Sequence, residues 1–298
     1  MNYNFTEIQK NKIIEKWGQD FYTQLLNNIA IYSKKWSLSD FEFVEYYSSS
    51  TIFFCKSELH GDCALKIPGG IREYRALRAY NNSGKYCQVY EFDSENSVLL
   101  IERITPGEML SVEPSLEKRL AVFSDLFNGL HVEPEKSESS DESQEEWVNG
   151  LADHVIDNRQ SNEEFYAHAL KAKEIYAEMT SVYDRKALLH MDLHFDNILS
   201  CGNGKYKIID PFGWIGDPIF EIGHFIFFEY SKVASEQQFK TVDKICSYFE
   251  KHLHIPKKIS KQCLYIDVTM WNFWHIYDGH PAYIDDVLFA ESILNHID

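Results

Sequence analysis

Apolar residues near the start of the chain fall at Ile8, Ile13, Ile14, Trp17, Phe21, Leu25, Leu26 and Ile29. Steps of three, four and seven place them on one side of a helix, so residues 6–32 are expected to form one or two amphipathic helices. At Phe41 the pattern changes. FEFVEYY, TIFFCKS and CALKI are short runs rich in β-branched and aromatic residues, and the polar clusters at 48–50 and 60–62 separate them. IREYRALRAYN at 71–81 reads as a helix, and CQVYEF and SVLLIERI read as two more strands. The expectation over 41–104 is about five strands, with a single helix after the third.

Beyond Pro106-Gly107 helical spacing dominates. PSLEKRLAVFSDLFNGLHV is amphipathic, EPEKSESSDESQEE at 133–146 reads as a solvated acidic loop, and helical texture returns at 162–183. One stretch interrupts it: ALLHMDLHFDNILSCGNGKYKIIDPFGWIGDP. Its NILS and YKIID segments fit a small hairpin around the turn Cys201-Gly202-Asn203-Gly204. Helices are expected from there onward, and the stripe Trp271, Trp274, Tyr277 reads as core. A small β-rich part followed by a larger helical part is an α+β, two-lobed plan, divided here into residues 1–104 and 105–298.

Composition narrows the function. Hydrophobic residues make up 44% of the chain, enough for a sizeable core. Lys plus Arg is 29 against 46 for Asp plus Glu, a net charge of −17. That balance argues against nucleic acid and anionic membranes as partners and suits a cationic ligand. The six cysteines form no CxxC pair and read as buried thiols of a reducing compartment. The N-terminal segment is charged and lacks an apolar signal core, and no apolar run approaches the roughly 20 residues of a membrane span. A soluble, cytoplasmic protein is expected.

The densest chemistry lies in 190-HMDLHFDN-197 and 208-IIDP-211. Phosphoryl transfer needs a group to orient and deprotonate the attacking hydroxyl, hard oxygen ligands for Mg²⁺, and cationic or N–H donors for the phosphates. Asp192, just past the strand-like run ALL, suits the first role. Asn197 and Asp210 suit the second. The alternation His190, Asp192, His194 also allows a metal-dependent hydrolase. That reading ranks lower, because no helical pattern surrounds the two histidines, and His190 is expected to orient the loop by hydrogen bonding.

H-x-D-x-x-x-x-N followed closely by I-D resembles the catalytic loop and metal-binding segment of the protein-kinase-like fold. The continuation IDPFGWIGDPIFE, the segment LLIERITPGEML at 99–110, Glu73-x-x-Ala76-Leu77 and Trp36-Ser37-Leu38 resemble the aminoglycoside phosphotransferase family, in its streptomycin 6-kinase-like and hydroxyurea kinase-like branch. The resemblance runs from about Trp36 to Phe228. It implies a protein-kinase-like fold with a nucleotide-binding β-rich lobe and a helical catalytic lobe. It also implies a kinase that uses ATP or GTP with Mg²⁺ to phosphorylate a hydroxyl of an aminoglycoside-like, cationic small molecule. By resemblance Asp192 is the catalytic base, and Asn197 and Asp210 are the Mg²⁺ ligands. Lys66 meets the α- and β-phosphates, with Glu73 as its carboxylate partner. Glu102, Arg103 and Ile104 form the hinge that binds adenine, and Ser48, Ser49, Ser50 and Thr51 occupy the phosphate-covering loop. Asp278 and Asp285 are the candidate acceptor-binding carboxylates.

No GxGxxG is present, a serine run stands at the phosphate loop, and Lys66 and Glu73 are only seven residues apart; two single residues also depart from the family pattern. Met191 stands where the family has glycine in His-Gly-Asp, and Glu221 stands where aspartate is frequent after Gly-Asp-Pro. Asp217 reads as a structural hydrogen-bonding residue. The alternatives that remain are a kinase of a metabolic alcohol or amino sugar, the hydrolase, and a nucleotide-binding module without activity.

Overall fold

The computed structural model describes residues 3–45, 49–81, 83–134 and 143–296. Ser48 and residues 135–142 of the acidic stretch therefore lie outside the described residues. The chain divides into two compact units, residues 1–107 with 201–203 and residues 108–200 with 204–298.

In the first unit, α1 (Glu7–Lys35) opens with a capping box between Thr6 and Gln9. It is broken at Gly18, whose φ of 89° lies in the region open chiefly to glycine. Strands β1 (Leu38–Val44), β2 (Thr51–Ser57), β3 (Gly61–Ile67), β4 (Val89–Asp93) and β5 (Val98–Glu102) follow, with α2 (Ile71–Tyr80) after β3. They form one antiparallel sheet in the order β1-β2-β3-β5-β4. Cys63, Leu65 and Ile67 of β3 join Ile13, Leu25, Ile29 and Tyr32 of α1 in one apolar core. Side chains alternate along a strand, so Lys66, between Leu65 and Ile67, turns to the opposite face.

The rest of the chain holds α3 (Leu116–Phe127), α4 (Gln144–Asp157), α5 (Glu163–Thr180), β6 (Ala187–Leu189), β7 (Ile198–Gly202), β8 (Lys205–Ile208), β9 (Trp214–Gly216), α6 (Glu221–Ser231), α7 (Ser235–Leu253), α8 (Lys257–Tyr277) and α9 (Ile284–Asn295), all in the second unit except the last two residues of β7. β6 pairs with β9 and β7 with β8. Helix α8 packs against α4, α5, α6, α7 and α9. The approach of α6 to α8 is set by Gly223: a Cβ there would lie 2.4 Å from the Cys263 carbonyl oxygen and 3.0 Å from Asp267 Cβ. Helix α3 is tied to α6 by Arg119, whose Nε donates to Glu229 Oε1 at 2.8 Å and whose Nη2 donates to Glu229 Oε2 at 2.6 Å.

Three details depart from the sequence reading. Helix α3 stops at Phe127, where Asn128 and Gly129 end the apolar periodicity. Helix α4 begins at Gln144, inside the stretch expected to be a loop, because Ser143 and Glu146 form a capping box. The stripe Trp271, Trp274, Tyr277 is not core: Trp274 is 38% and Tyr277 63% exposed. Leu264, Val268 and Phe273 fill the packed face of α8 instead. All six cysteines are free thiols. Among the described residues no helix is long and apolar enough to cross a membrane.

Gly223→Ala must push α6 away from the α8 backbone, since the atom it meets is a carbonyl oxygen rather than a flexible side chain. The expected cost is about 1–3 kcal/mol, as for overpacking elsewhere, and chemical denaturation of variant and wild type measures it.

Candidate active site

The loop that carries the sequence motif starts where β6 ends, and Glu221 at the head of α6 holds its first turn. The backbone N–H groups of His190 and Met191 both donate to Glu221 Oε1, the second at 2.8 Å. The His131 ring pairs with Glu221 Oε2. A fully buried carboxylate is thus matched by two amides and an imidazole. Burial raises its pKa, but the charge and hydrogen bonds of His131, with the Met191 amide, hold it below the usual glutamate range.

His190 has no solvent exposure. Its Nδ1 accepts from the Asp192 N–H at 3.1 Å and its Nε2 donates to the Ile209 carbonyl at 2.7 Å. Burial lowers its pKa and keeps the ring neutral. The ring therefore joins the loop to the residue before Asp210. The Ile209 N–H returns the link by donating to the Asn197 carbonyl at 3.0 Å. His194 Nδ1 accepts from the Asp196 N–H at 3.2 Å, so its proton sits on Nε2, which lies 3.6 Å from Asp192 Oδ1.

Asp192 is gripped at both oxygens. Asn197 Nδ2 donates to Oδ2 at 3.0 Å and to the Asp192 backbone carbonyl at 2.9 Å. His224 Nε2 donates to Oδ1 at 3.0 Å, and His224 Nδ1 donates to Asp267 Oδ2 at 3.1 Å. Burial pushes the Asp192 carboxyl up, but His194 and His224 overcome it and hold the group well below the usual carboxylate range. Burial likewise opposes charge on His224, yet Asp267 and Asp192 raise its pKa to about 10. Phe228 and Trp271 flank the His224 ring at centroid distances of 4.8 Å and 6.2 Å.

Asp210 follows β8, half-buried, with φ of 58°. Since Asn197 Nδ2 is committed to Asp192, its Oδ1 is the side-chain atom suited to a cation. A carboxylate and an amide oxygen are hard donors and fit Mg²⁺. Asp192, His194 and His224 also lie close enough together to suggest a metal. They fit one poorly. The His194 atom that would bind is the protonated Nε2, and His224 donates from both nitrogens to carboxylates.

In the first unit Lys66 Nζ meets Glu73 Oε1 at 2.9 Å, and both side chains are buried. Thr51 Oγ1 donates to the Ile67 carbonyl at 2.6 Å and Ser50 Oγ to that of Pro68 at 2.8 Å, so both hydroxyls serve the sheet. Ser49 is exposed. At the expected hinge the Glu102 N–H donates to the Gln88 carbonyl and the Arg103 N–H to that of Asp62, and Ile104 is buried. Asp217 accepts from the N–H groups of Ile219 and Arg185. Asp278 ends α8 beside His280 at 3.0 Å, and Asp285 lies in the first turn of α9. The acid that reaches Asp192, through His224, is Asp267. Sequence reasoning passed over His224 and Asp267 as site residues. The one available signal was a histidine three positions after Glu221, on the same helix face as that residue.

The family model described as aminoglycoside/hydroxyurea antibiotic resistance kinase matches residues 70–266. The chain belongs to this family. It is 28% identical over 155 residues to streptomycin 6-kinase of Streptomyces griseus, covering 49% of this chain. The match spans 47%, about half, of that relative's length. The aminoglycoside phosphotransferase APH(4)-Ia, in a ternary complex with ADP and hygromycin B, superposes with a TM-score of 0.61 at 16% identity, over 89% of this chain and 96% of that one. A choline/ethanolamine kinase family protein of Mesorhizobium loti gives 0.65 at 14% identity, over 92% and 95%. These likenesses show a protein-kinase-like fold for this member of the family.

Removing the Glu221 carboxylate leaves His131 and two loop amides without their buried acceptor. Glu221→Ala is expected to cost about 3–5 kcal/mol, as for breaking a buried pair on one side. The folded state lowers this pKa, so the contribution is complete above the unfolded value near 4.5 and is lost as pH falls below it. Urea unfolding across the acidic range should show a steeper acid loss in wild type than in Glu221→Gln.

Proposed function

We propose that this kinase-family member transfers the γ-phosphoryl group of ATP to a hydroxyl of a cationic small molecule. The observation that carries the reading is the Asp192 carboxylate, kept ionised and fixed at both oxygens on a loop whose far end, Asn197, is hydrogen-bonded to the residue before Asp210. Asp192 would orient the acceptor hydroxyl and take its proton late. Such a firmly ionised carboxylate is a weak base but a good hydrogen-bond acceptor, which suits a loose transition state. Bound through Asn197 Oδ1 and Asp210, Mg²⁺ would neutralise charge on the phosphates. Lys66, held by Glu73, would meet the α- and β-phosphates. The backbone near Ser49, Ser50 and Thr51 would cover the phosphates, since two of those hydroxyls serve the sheet. Backbone groups of Glu102 and Ile104 would take the adenine. GTP is the other candidate donor.

The acceptor we favour is a streptomycin-type aminoglycoside. The net charge of −17, the exposed aromatics Trp274 and Tyr277, and the half-buried Trp271 and Asp267 beside His224 support a cationic guest. Asp278 and Asp285 are proposed to hold its guanidinium or ammonium groups. A second reading, kinase of a metabolic cationic alcohol or amino sugar, draws support from the fold likeness to the choline/ethanolamine kinase family protein. The hydrolase reading is weakened because His190 spends both ring nitrogens on backbone groups, the Asp192 N–H and the Ile209 carbonyl. We further propose that residues 1–104 bind nucleotide and residues 105–298 carry catalysis and acceptor binding, in the cytoplasm.

Nucleotide consumption with Mg²⁺ against streptomycin-type aminoglycosides, choline, ethanolamine and hydroxyurea separates these acceptors. Turnover of hydroxyurea alone would overturn the cationic assignment and leave the kinase chemistry standing. Asp192→Ala should lower kcat by at least about 10²-fold while nucleotide still binds, and turnover near wild type would overturn the role of Asp192.

A further inference from the structure

The chain of contacts Asp192–His224–Asp267 is built from three elements, the loop after β6, α6 and α8, and Gly223 allows the last two to approach. His224 is buried on α6, and both of its ring nitrogens face carboxylates. Neither carboxylate can donate a proton while ionised, so both nitrogens must do so, and the ring is an imidazolium. The terminal torsion of an aspartate is soft and roughly two-fold. Rotation about that torsion moves both oxygens, so the single Asn197 bond to Oδ2 holds the group at one point, and the Nε2 donor of His224 on Oδ1 supplies the second point that sets its plane.

We propose that His224, itself anchored by Asp267, is a positioning residue that fixes the Asp192 carboxylate for the acceptor hydroxyl. The proposal rests on the reading in which Asp192 receives that hydroxyl. It adds two side chains outside the sequence motif to the machinery. The groups that face the ring are Asp192 and His194 from the loop, Asp267 and Trp271 from α8, and Phe228 from α6 itself. Of these the two carboxylates set its charge. With the ring pKa near 10, the imidazolium persists through the neutral range, and so does its hold on Asp192.

Two isosteric variants separate the halves of the ring. Asparagine places its amide nitrogen near the position of Nδ1, and glutamine places its nitrogen near that of Nε2. His224→Asn therefore keeps a donor for Asp267 and loses the one for Asp192, and His224→Gln does the reverse. The expected result is a kcat reduced at least about tenfold in His224→Asn, with the nucleotide KM unchanged and most of the rate retained in His224→Gln. Equal rates in the two variants, whether both high or both low, would overturn the proposal, because a merely structural histidine does not distinguish its two nitrogens. Asp192→Ala is measured alongside. If that variant keeps full turnover, the reading of Asp192 fails. If it is dead while His224→Asn is fully active, only the present inference fails.

Should His224→Asn not fold, His224→Leu, which removes both donors, carries the test beside His224→Gln. The expected kcat is at least about tenfold lower in His224→Leu than in His224→Gln. Equal rates in those two variants would overturn the proposal.

Discussion

A carboxylate sealed from water has to find compensating donors inside the protein or give up its charge. Glu221 is in that position, and the donors it finds come from two other parts of the second unit. His131 lies beyond α3, and the amides of His190 and Met191 open the loop after β6. Meeting that one buried charge fixes where the loop begins relative to α6. It also fixes the orientation of α6, because the helix carrying Glu221 presents His224 one turn later. The approach of α6 to α8 through Gly223 then brings Asp267 to the same histidine. The placement of Asp192 is thus a consequence of how Glu221 is neutralised.

The charges around Asp192 form an alternating series, with Asp267, His224 and Asp192 in line and Asn197 closing the far side. In a partly buried site an isolated pair of carboxylates would push each other's pKa upward, and one would take a proton. The intervening imidazolium opposes that and, with His194, holds Asp192 well below the usual carboxylate range. The result favours orientation over basicity. In the proposed reaction little bond formation to the nucleophile has occurred at the transition state, so an acceptor that aligns the hydroxyl contributes more than one that removes its proton early.

The sheet was legible because its strands alternate and its inner strands are apolar on both faces. Lys66 stood out as the polar break in CALKI, whereas Glu73, a helix-surface residue by its own pattern, was named its partner by resemblance alone; the structure pairs them. The loop after β6 was legible as a candidate because its residue types are packed into eight positions. What escaped were features masked by local composition or dependent on distance in space. Helix α4 was hidden because its cap lies inside an acidic stretch whose composition reads as solvated loop. The stripe of Trp271, Trp274 and Tyr277 has helical spacing, but spacing cannot say which face of α8 the neighbouring helices cover. Asp267 lies 75 positions after Asp192 (267 − 192), and nothing local marks it as that residue's neighbour. The acids at 278 and 285 were more conspicuous in sequence only because they cluster.

The two departures from the family pattern meet in a single hydrogen bond. Met191 has φ of 64°, a left-handed conformation in which a side chain costs roughly 1–2 kcal/mol and glycine costs nothing. Its amide donates at 2.8 Å to the carboxylate of the other departure, Glu221. A hydrogen bond to a charged acceptor contributes about 1.5–3 kcal/mol, enough to offset that strain. The same Glu221 oxygen also takes the His190 amide, so the chain is anchored at the strained residue and at the one before it. Bulk at position 191 has a further effect: unlike glycine, methionine has few alternative backbone conformations to lose on folding. The loop can therefore carry a non-glycine residue in a glycine conformation, provided the buried acid beneath it stays ionised.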